Sequence, residues 1–440
     1  MKLYFKSLVK ITAIGIFFIV IFFLSGSYVF SQGSAGVLKA GIAKLDITPD
    51  LPVQMSGYGS RTELSIGVHD NLYARVVAFE NNGKRLVLIS TDVIGYYGGT
   101  YEFILKSIQE ESGLRQDEVF LCGIHSHSAP TVTINDDIGH QNNIAYTQIL
   151  RPKIVKVVRE ALNSLTPVKT GIGVGYSPVG INRRRQNERG MIELGRNPYG
   201  PTDKEVLVMK LVRSDNGSPI TALFDYACHA TSLGPKNLLI SGDVLGIAAQ
   251  FVENILGKGL IAPEFAGASG NIDPWFRVLP EFNTEPGWIP EPVLLGTLLG
   301  EEVVTVFRGI KNEQPGGEIK TAFTTIEAPA KKFGEVEQRT DGLSAPANKL
   351  TTPVNITAAR VGDVVFIGFN VEMLTEVGMA IKAGSPFKNT FVISHCNGAT
   401  GYLPPEYVYS QGGYEVKSSP FAPQAADVIV KQALKMIYGL

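Results

Sequence analysis

The chain has 440 residues, enough for a large core or for two to three domains. It is 44% hydrophobic and 18% charged, with 47 glycines and 25 prolines, which excludes a disordered or fibrous chain and suits a loop-rich globular enzyme. Lys and Arg number 40 against 41 Asp and Glu, a formal net charge of −1 with no long basic run past the N-terminus, which argues against a nucleic-acid partner.

Lys2, Lys6 and Lys10 precede an apolar run from Ile11 to Leu24, the pattern of a positively charged leader with a short hydrophobic core. Residues 1–31 are therefore expected to be a signal peptide, cut after Ser31, or an N-terminal anchor that stays attached. On either reading the protein is exported, periplasmic or extracellular, and in the second it is associated with the membrane through this segment. Cys122, Cys228 and Cys396 are too few and too odd in number for a disulfide framework. They read as small buried hydrophobes, with a single disulfide among them as the alternative.

After the leader, Val37–Ile47 is expected to be a strand, followed by the glycine-punctuated loop Met55–Ser60. Tyr73–Glu80 and Lys84–Thr91 form a hairpin around Asn81-Asn82-Gly83. A helix over Thr100–Gly113 leads to a buried strand, Glu118–Gly123, and then to His125-Ser126-His127 before Pro130. Side chains two apart on extended backbone share a face, so His125 and His127 can form a metal or acid/base site. The plain alternative is a pair of hydrogen-bonded surface histidines. A helix over Asn143–Leu165 and strands over Lys169–Gly175 and Glu205–Val212 follow. Between those strands lies Asn182–Arg189, read as a polar loop whose Arg183, Arg184 and Arg185 are solvated or face an anionic group.

Ile220–Cys228 is a strand ending at His229, and Ser241-Gly242-Asp243 caps a helix running to Leu256. Leu260–Phe265 is a short strand before Gly270-Asn271-Ile272-Asp273-Pro274. A helix over Val293–Phe307, an extended run over Glu318–Ala328 and a polar excursion or lid over Ala330–Leu350 come next. A hairpin, Val354–Arg360 with Val364–Phe369, ends at Glu372 and is followed by a helix to Lys382. Thr390–Ser394 is the last buried strand, and a helix over Ala422–Tyr438 closes the chain. Interleaved strands and helices make the fold class mixed α/β, with mixed sheets.

Apolar strands repeatedly stop at a polar residue close to Gly or Pro: Asp92, His125 and His127, His229, Asp273, Glu372 and Tyr402. Functional groups in α/β folds collect beyond strand ends, and imidazoles with carboxylates suit Zn²⁺. His229 also reads as an ordinary buried histidine, Glu372 as a first-turn helix residue, and Tyr402 and Tyr414 as packing aromatics with a wet hydroxyl. Asp92 and Asp243 read as capping or supporting groups.

Several segments together resemble the neutral (non-lysosomal) ceramidase family of exported zinc amidohydrolases. They are Gly41–Thr48, Gly67–Arg75, Gly123–Pro130, Cys228–Ser232, Leu239–Asp243, Phe265–Pro274, the stretch around Glu372, and Tyr402–Glu415, in family order. The resemblance implies one ceramidase-like hydrolase domain over residues 37–440 and a zinc ion held by His125, His229, Glu372 and Tyr402. It further implies His127 as proton shuttle or hydrogen-bond partner of the substrate, Tyr414 polarising the scissile carbonyl, and Arg183 contacting substrate. The family carries Gly-Asp-x-Ser-Pro where this chain has Gly270–Pro274, so Asp273 stands in place of a substrate-facing serine. A carboxylate accepts hydrogen bonds or acts as a base, so either His127 or Asp273 is expected to shuttle the proton to the leaving group, but it does not replace a hydroxyl. The family's immunoglobulin-like C-terminal domain is expected to be missing.

Three readings follow: hydrolysis of a lipid-like N-acyl amide, hydrolysis of a small polar or carbohydrate-linked amide or ester, and a silent exported binding module. A deep apolar tunnel at the zinc favours the first reading; a polar cleft lined by Arg183–Arg185 favours the second.

Overall fold

The computed structural model describes residues 36–137, 139–257, 259–276, 291–332 and 350–440. The expected leader and nearly all of the polar excursion lie outside the described residues. Strands here are apolar at successive positions because both of their faces are covered. In β2 (Tyr73–Asn81), following β1 (Lys39–Asp46), Val76 and Ala78 point into one cluster and Val77 and Phe79 into another. The same alternation recurs in β3 (Lys84–Thr91), where Val87 and Ile89 oppose Leu86 and Leu88.

These strands belong to a long mixed sheet that also holds β4 (Val119–Gly123), β5 (Thr166–Tyr176), β6 (Glu205–Arg213), β7 (Pro219–Tyr226) and β8 (Glu264–Ala266). Its spatial order is β8-β7-β6-β5-β1-β2-β3-β4, with a short strand, Gln314–Pro315, also paired to β5. The edge pairs β3·β4 and β7·β8 are parallel; the pairings between them are antiparallel. A second sheet, β9 (Ile319–Pro329), β10 (Thr351–Val361), β11 (Val364–Phe369) and β12 (Asn389–Ile393), runs in that order. One core lies between the sheets, where Phe120 and Leu88 meet Phe366 and Phe391, whose rings stack at 4.8 Å.

Helices cover the outer faces. α1 (Thr100–Ser112) and α2 (Gln141–Asn163) pack on β1–β3, and α3 (Asp243–Leu256) and α4 (Glu291–Gly309) pack on β6 and β7. α5 (Thr375–Gly384) and α6 (Ala425–Gly439) cover the second sheet. Gly36–Leu440 forms one compact unit with four layers, helix–sheet–sheet–helix, which is the mixed α/β class expected. No helix among the described residues is long and apolar enough to cross a membrane.

Three expectations are corrected. Asn182–Arg189 is not a loop: Gly180–Gln186 is a strand between Ile192–Asn197 and Ile272–Pro274, and Arg183 and Arg184 on it are buried. Their carboxylate partners lie far away in sequence, so the arginine run looked solvated. The strand expected over Leu260–Phe265 shortens to Glu264–Ala266. All three cysteines are free and buried, so the alternative of a disulfide falls.

β7 carries a buried carboxyl, Asp225, pushed up to about 7 by burial, which outweighs the attraction of Lys382. A raised carboxyl costs nothing below its unfolded value near 4 and progressively destabilises the fold as pH climbs to about 7. Asp225→Asn is therefore expected to raise the urea midpoint over wild type at pH 8 and to leave it close to wild type at pH 4, measured by circular dichroism.

Candidate metal centre

β4 ends at Gly123, and the chain turns sharply at His125, whose φ of +64° lies in the left-handed region that non-glycine residues pay to occupy. The turn buries the His125 ring with Nδ1 2.9 Å from the carbonyl of Ile94. A carbonyl only accepts, so Nδ1 carries the proton and Nε2 is left with its lone pair. His229, beyond β7, is held the same way: its Nδ1 lies 2.7 Å from the Ser269 carbonyl and 3.2 Å from that of Ile272. The loop after His229 is fixed by Asp243, which opens α3 and accepts from the backbone N–H groups of Ser232, Leu233 and Val244. The expected capping role thus extends to anchoring this loop.

The two presented nitrogens converge with a carboxylate and a third imidazole. Glu372 Oε2 lies 3.5 Å from His125 Nε2 and 3.9 Å from His229 Nε2. His127 Nε2 lies 3.3 Å from His125 Nε2, and ligand atoms of the three histidines all fall within 4.8 Å of one another. Donors bound to zinc at about 2.0–2.1 Å in a tetrahedron stand about 3.3–3.4 Å apart. The spacings and the donor chemistry fit a divalent metal. Burial, then the neighbouring His125, holds the His127 imidazole well below the usual histidine range. Burial, then Arg183, does the same to His229. Neutral imidazoles are the form a metal binds.

Gly57, with φ +95°, lets the backbone lie against the His127 ring; a Cβ there would stand 2.2 Å from Nδ1. Tyr58 meets the same ring edge-on at 5.0 Å.

A buried ionic network walls the other side. Arg183 donates from Nε to Glu415 Oε1 at 2.8 Å, from Nη1 to Asp273 Oδ1 at 3.1 Å and from Nη2 to the Tyr402 hydroxyl at 3.1 Å. Its Nη1 also sits 3.4 Å from His229 Nε2. Arg184 takes the other oxygen of Glu415 at 2.7 Å. Burial works against the Arg183 charge, but Tyr402 and Glu415 outweigh it and hold the guanidinium above its already high value. Tyr402 is brought beside Glu372 by a two-residue parallel pairing of Glu372–Met373 with Tyr402–Leu403. Tyr414 packs edge-on to Tyr402 at 5.5 Å and is 39% exposed.

All the residues singled out from the sequence at this site thus gather in one region, but Arg183 and Asp273 face each other, and Arg185 lies outside, paired with Glu193. Sequence reading missed Glu415, the clamp on both arginines, and His395, whose ring stacks on His125 at 3.8 Å and 10°. His395 follows β12 just as His125 follows β4, so the strand-end rule could have found it; Glu415 closed the Tyr402–Glu415 segment of the resemblance but was given no role.

Beside the cluster opens a cavity of about 1170 Å³ whose wall includes Gly57, Tyr58 and Ile94. Its lining mixes Ser, Thr, Asn and Gln side chains with glycine, tyrosine and apolar residues, and Arg183–Arg185 are not among them.

Residues 38–269, just over half of the chain, match the family model described as neutral/alkaline non-lysosomal ceramidase, N-terminal. The chain is 28% identical over 237 residues to a neutral ceramidase of Oryza sativa subsp. japonica, covering 50% of this chain and 29% of that protein. It is 26% identical over 267 residues to a neutral ceramidase of Mycobacterium tuberculosis, covering 54% of this chain and 40% of that protein. The match therefore spans well under half the length of these curated relatives. Among solved structures, neutral ceramidase from Pseudomonas aeruginosa superposes with a TM-score of 0.72 at 19% identity, over 92% of this chain and 75% of that one. That likeness supports the fold, and the family model carries the assignment: this chain belongs to the neutral/alkaline non-lysosomal ceramidase family.

Proposed function

We propose that the protein is an exported, zinc-dependent hydrolase that cleaves the amide bond of an N-acyl substrate. The observation that carries this reading is the convergence of His125, His229 and Glu372 at 3.5 and 3.9 Å, with two imidazoles already oriented by backbone carbonyls. His125, His229, Glu372 and Tyr402 are the residues proposed to hold zinc. A bound zinc ion supplies Lewis acidity and brings the pKa of a water towards neutrality.

The chain's own groups divide the remaining work. Arg183 Nη2, 3.1 Å from the Tyr402 hydroxyl, favours the phenolate a metal needs. His127, neutral and facing His125, is placed to take a proton at Nε2 and return it to the leaving nitrogen. The Tyr414 hydroxyl serves the oxygen of the scissile carbonyl as charge develops there. Arg183 acts here through Tyr402 and Asp273 rather than as a free anion receptor, because its donors are engaged by protein.

The substrate is a lipid-like or a small polar amide, and the N-terminal segment is proposed to export the protein and to tether it where uncleaved. The hydroxyl and carboxamide side chains in the cavity's mixed lining favour a polar substrate. No observation favours a silent binding module, since every proposed ligand is present.

His229→Ala is expected to lower zinc content in purified protein from about one equivalent to below a tenth and to abolish fatty-acid release from N-acyl amides, read by metal analysis and product assay. Retained zinc and full activity would remove His229 from the centre. Arg183→Met leaves Asp273 without its cation and Glu415 with Arg184 alone, so it is expected to cost about 3–5 kcal/mol of stability in urea titration. A residue that only touched substrate would leave the midpoint unchanged.

A further inference from the structure

The cavity beside the metal cluster has a chemistry of its own. Asn135 and Thr133 line one part of it, Thr352 and Thr325 on the second sheet another, and Tyr58 and Tyr97 a third. Its charged lining residues are Arg61 and Glu102. Arg61 is already committed to the backbone carbonyls of Ser56, His127 and Asn237, and Glu102 is exposed. Apart from these two the wall is neutral, with hydroxyl and carboxamide groups set among glycine and apolar side chains. Some of these groups are bonded to protein, as Thr325 is to Asn355 and Asn370 to Thr400; an alkyl chain packed against the others strips them of water and returns nothing, whereas a polyol returns them partners. Tyrosine rings add apolar platforms with polar ends. At about 1170 Å³ the space exceeds what a single small ligand fills.

We propose that the amine half of the substrate is a neutral, polyhydroxylated group, an amino sugar carrying the acyl chain on its nitrogen. This rests on the reading of the centre as an amide hydrolase. Water adds its oxygen to the acyl carbon, the carbon–nitrogen bond breaks, and the nitrogen gains a proton, leaving a free amino sugar and a fatty acid.

The test uses the zinc-loaded full chain with N-octanoyl-glucosamine and with C8-ceramide in mixed micelles, following amine release, alongside calorimetric binding of each compound. The expected result is a kcat/KM at least tenfold higher for the N-acyl sugar, with Thr352→Leu and Asn135→Leu each weakening its binding at least fivefold. Binding of the sugar without cleavage of either compound keeps the substrate class and defeats the hydrolase reading. Cleavage of ceramide with no binding of the N-acyl sugar, or binding of neither, overturns the substrate class.

A second inference rests on ring geometry alone. His395 has φ +53°, is buried, and lies flat on His125 at 3.8 Å. Its backbone is pinned on both sides, its N–H donating to Val371 and its carbonyl accepting from Gly123. A non-glycine residue held in the left-handed region so that its ring covers a proposed ligand points to a role at the centre. We infer that His395 is a positioning residue that fixes the plane of the His125 imidazole and so the aim of its Nε2.

His395→Ala is expected to weaken zinc binding by about tenfold to a hundredfold in chelator competition and to shift the visible bands of the cobalt-substituted protein. His395→Phe, which restores a flat ring, is expected to return both readouts to near wild type. Wild-type affinity and spectrum in His395→Ala, or a loss in His395→Phe equal to that in His395→Ala, overturns the inference. A purely packing role would lower the melting temperature and leave the cobalt bands in place.

Discussion

The centre depends on four residues that close the long sheet on itself. Ser394–Asn397, directly after β12, receives both edge strands. The Ser394 N–H donates to Ala266 at the end of β8, and Gly123 at the end of β4 donates to the His395 carbonyl. Asn397, with φ +58°, donates its own N–H to Leu121, and its side chain bonds the Leu121 N–H and the Val119 carbonyl. A β-edge leaves alternate donors and acceptors unpaired, and here one asparagine in a left-handed turn answers them. Because β4 leads to His125 and β7, beside β8, leads to His229, joining both edges to one segment brings the two histidines together. The same segment belongs to the second sheet, whose β11 leads to Glu372.

Charge is managed on the same plan. Of the buried arginines, Arg75 and Arg183 stand at two places in the fold, each meeting more than one carboxylate. Arg75 meets Asp92 at 3.0 Å, Glu264 at 2.9 Å and Glu253 at 2.9 Å, and Arg183 meets Asp273 and Glu415. A buried guanidinium without anions would cost several kcal/mol, so each cluster must assemble whole or not at all. Arg75 lies on β2, Asp92 follows β3 and Glu264 opens β8, so the first cluster ties separate stretches of the long sheet together. The second ties the Gly180–Gln186 strand to the Tyr414–Lys417 turn and the Ile272–Pro274 strand. Asp92, seen in the sequence as a strand-end residue, belongs to the first cluster and not to the metal centre.

What the sequence made legible follows from the range of the forces involved. Alternation and turn chemistry are local, so β2 and β3 with Asn82-Gly83 between them, and α1, α2 and α6, fell within a few residues of their expected limits. His125, His229, Glu372 and Tyr402 stood among several strand-end polar residues, a local signal, and it was the family resemblance that singled them out as a set. The arginine strand was misread because Arg183 and Arg184 are buried only by virtue of Glu415, more than two hundred residues away. His395 was passed over although it obeys the same strand-end rule, because its role depends on a ring from another sheet lying parallel to it. Polar contacts between distant segments leave no periodicity to read.

The carboxylate at position 273 is best understood together with Arg183. By the family resemblance, Asp273 stands where a substrate-facing serine is carried. Asp273 instead spends an oxygen on Arg183 Nη1 at 3.1 Å, and its backbone pairs with Ile181 two positions from that arginine. An anion so placed balances a cation that Glu415 must otherwise share with Arg184. The exchange of hydroxyl for carboxylate therefore strengthens the ionic wall behind Tyr402 and removes a hydroxyl from the substrate's side of it. On the proposed reading, recognition of a polar head group would come from elsewhere, and the cavity beside the histidine cluster, with hydroxyl and carboxamide groups in its wall, is a described surface suited to it.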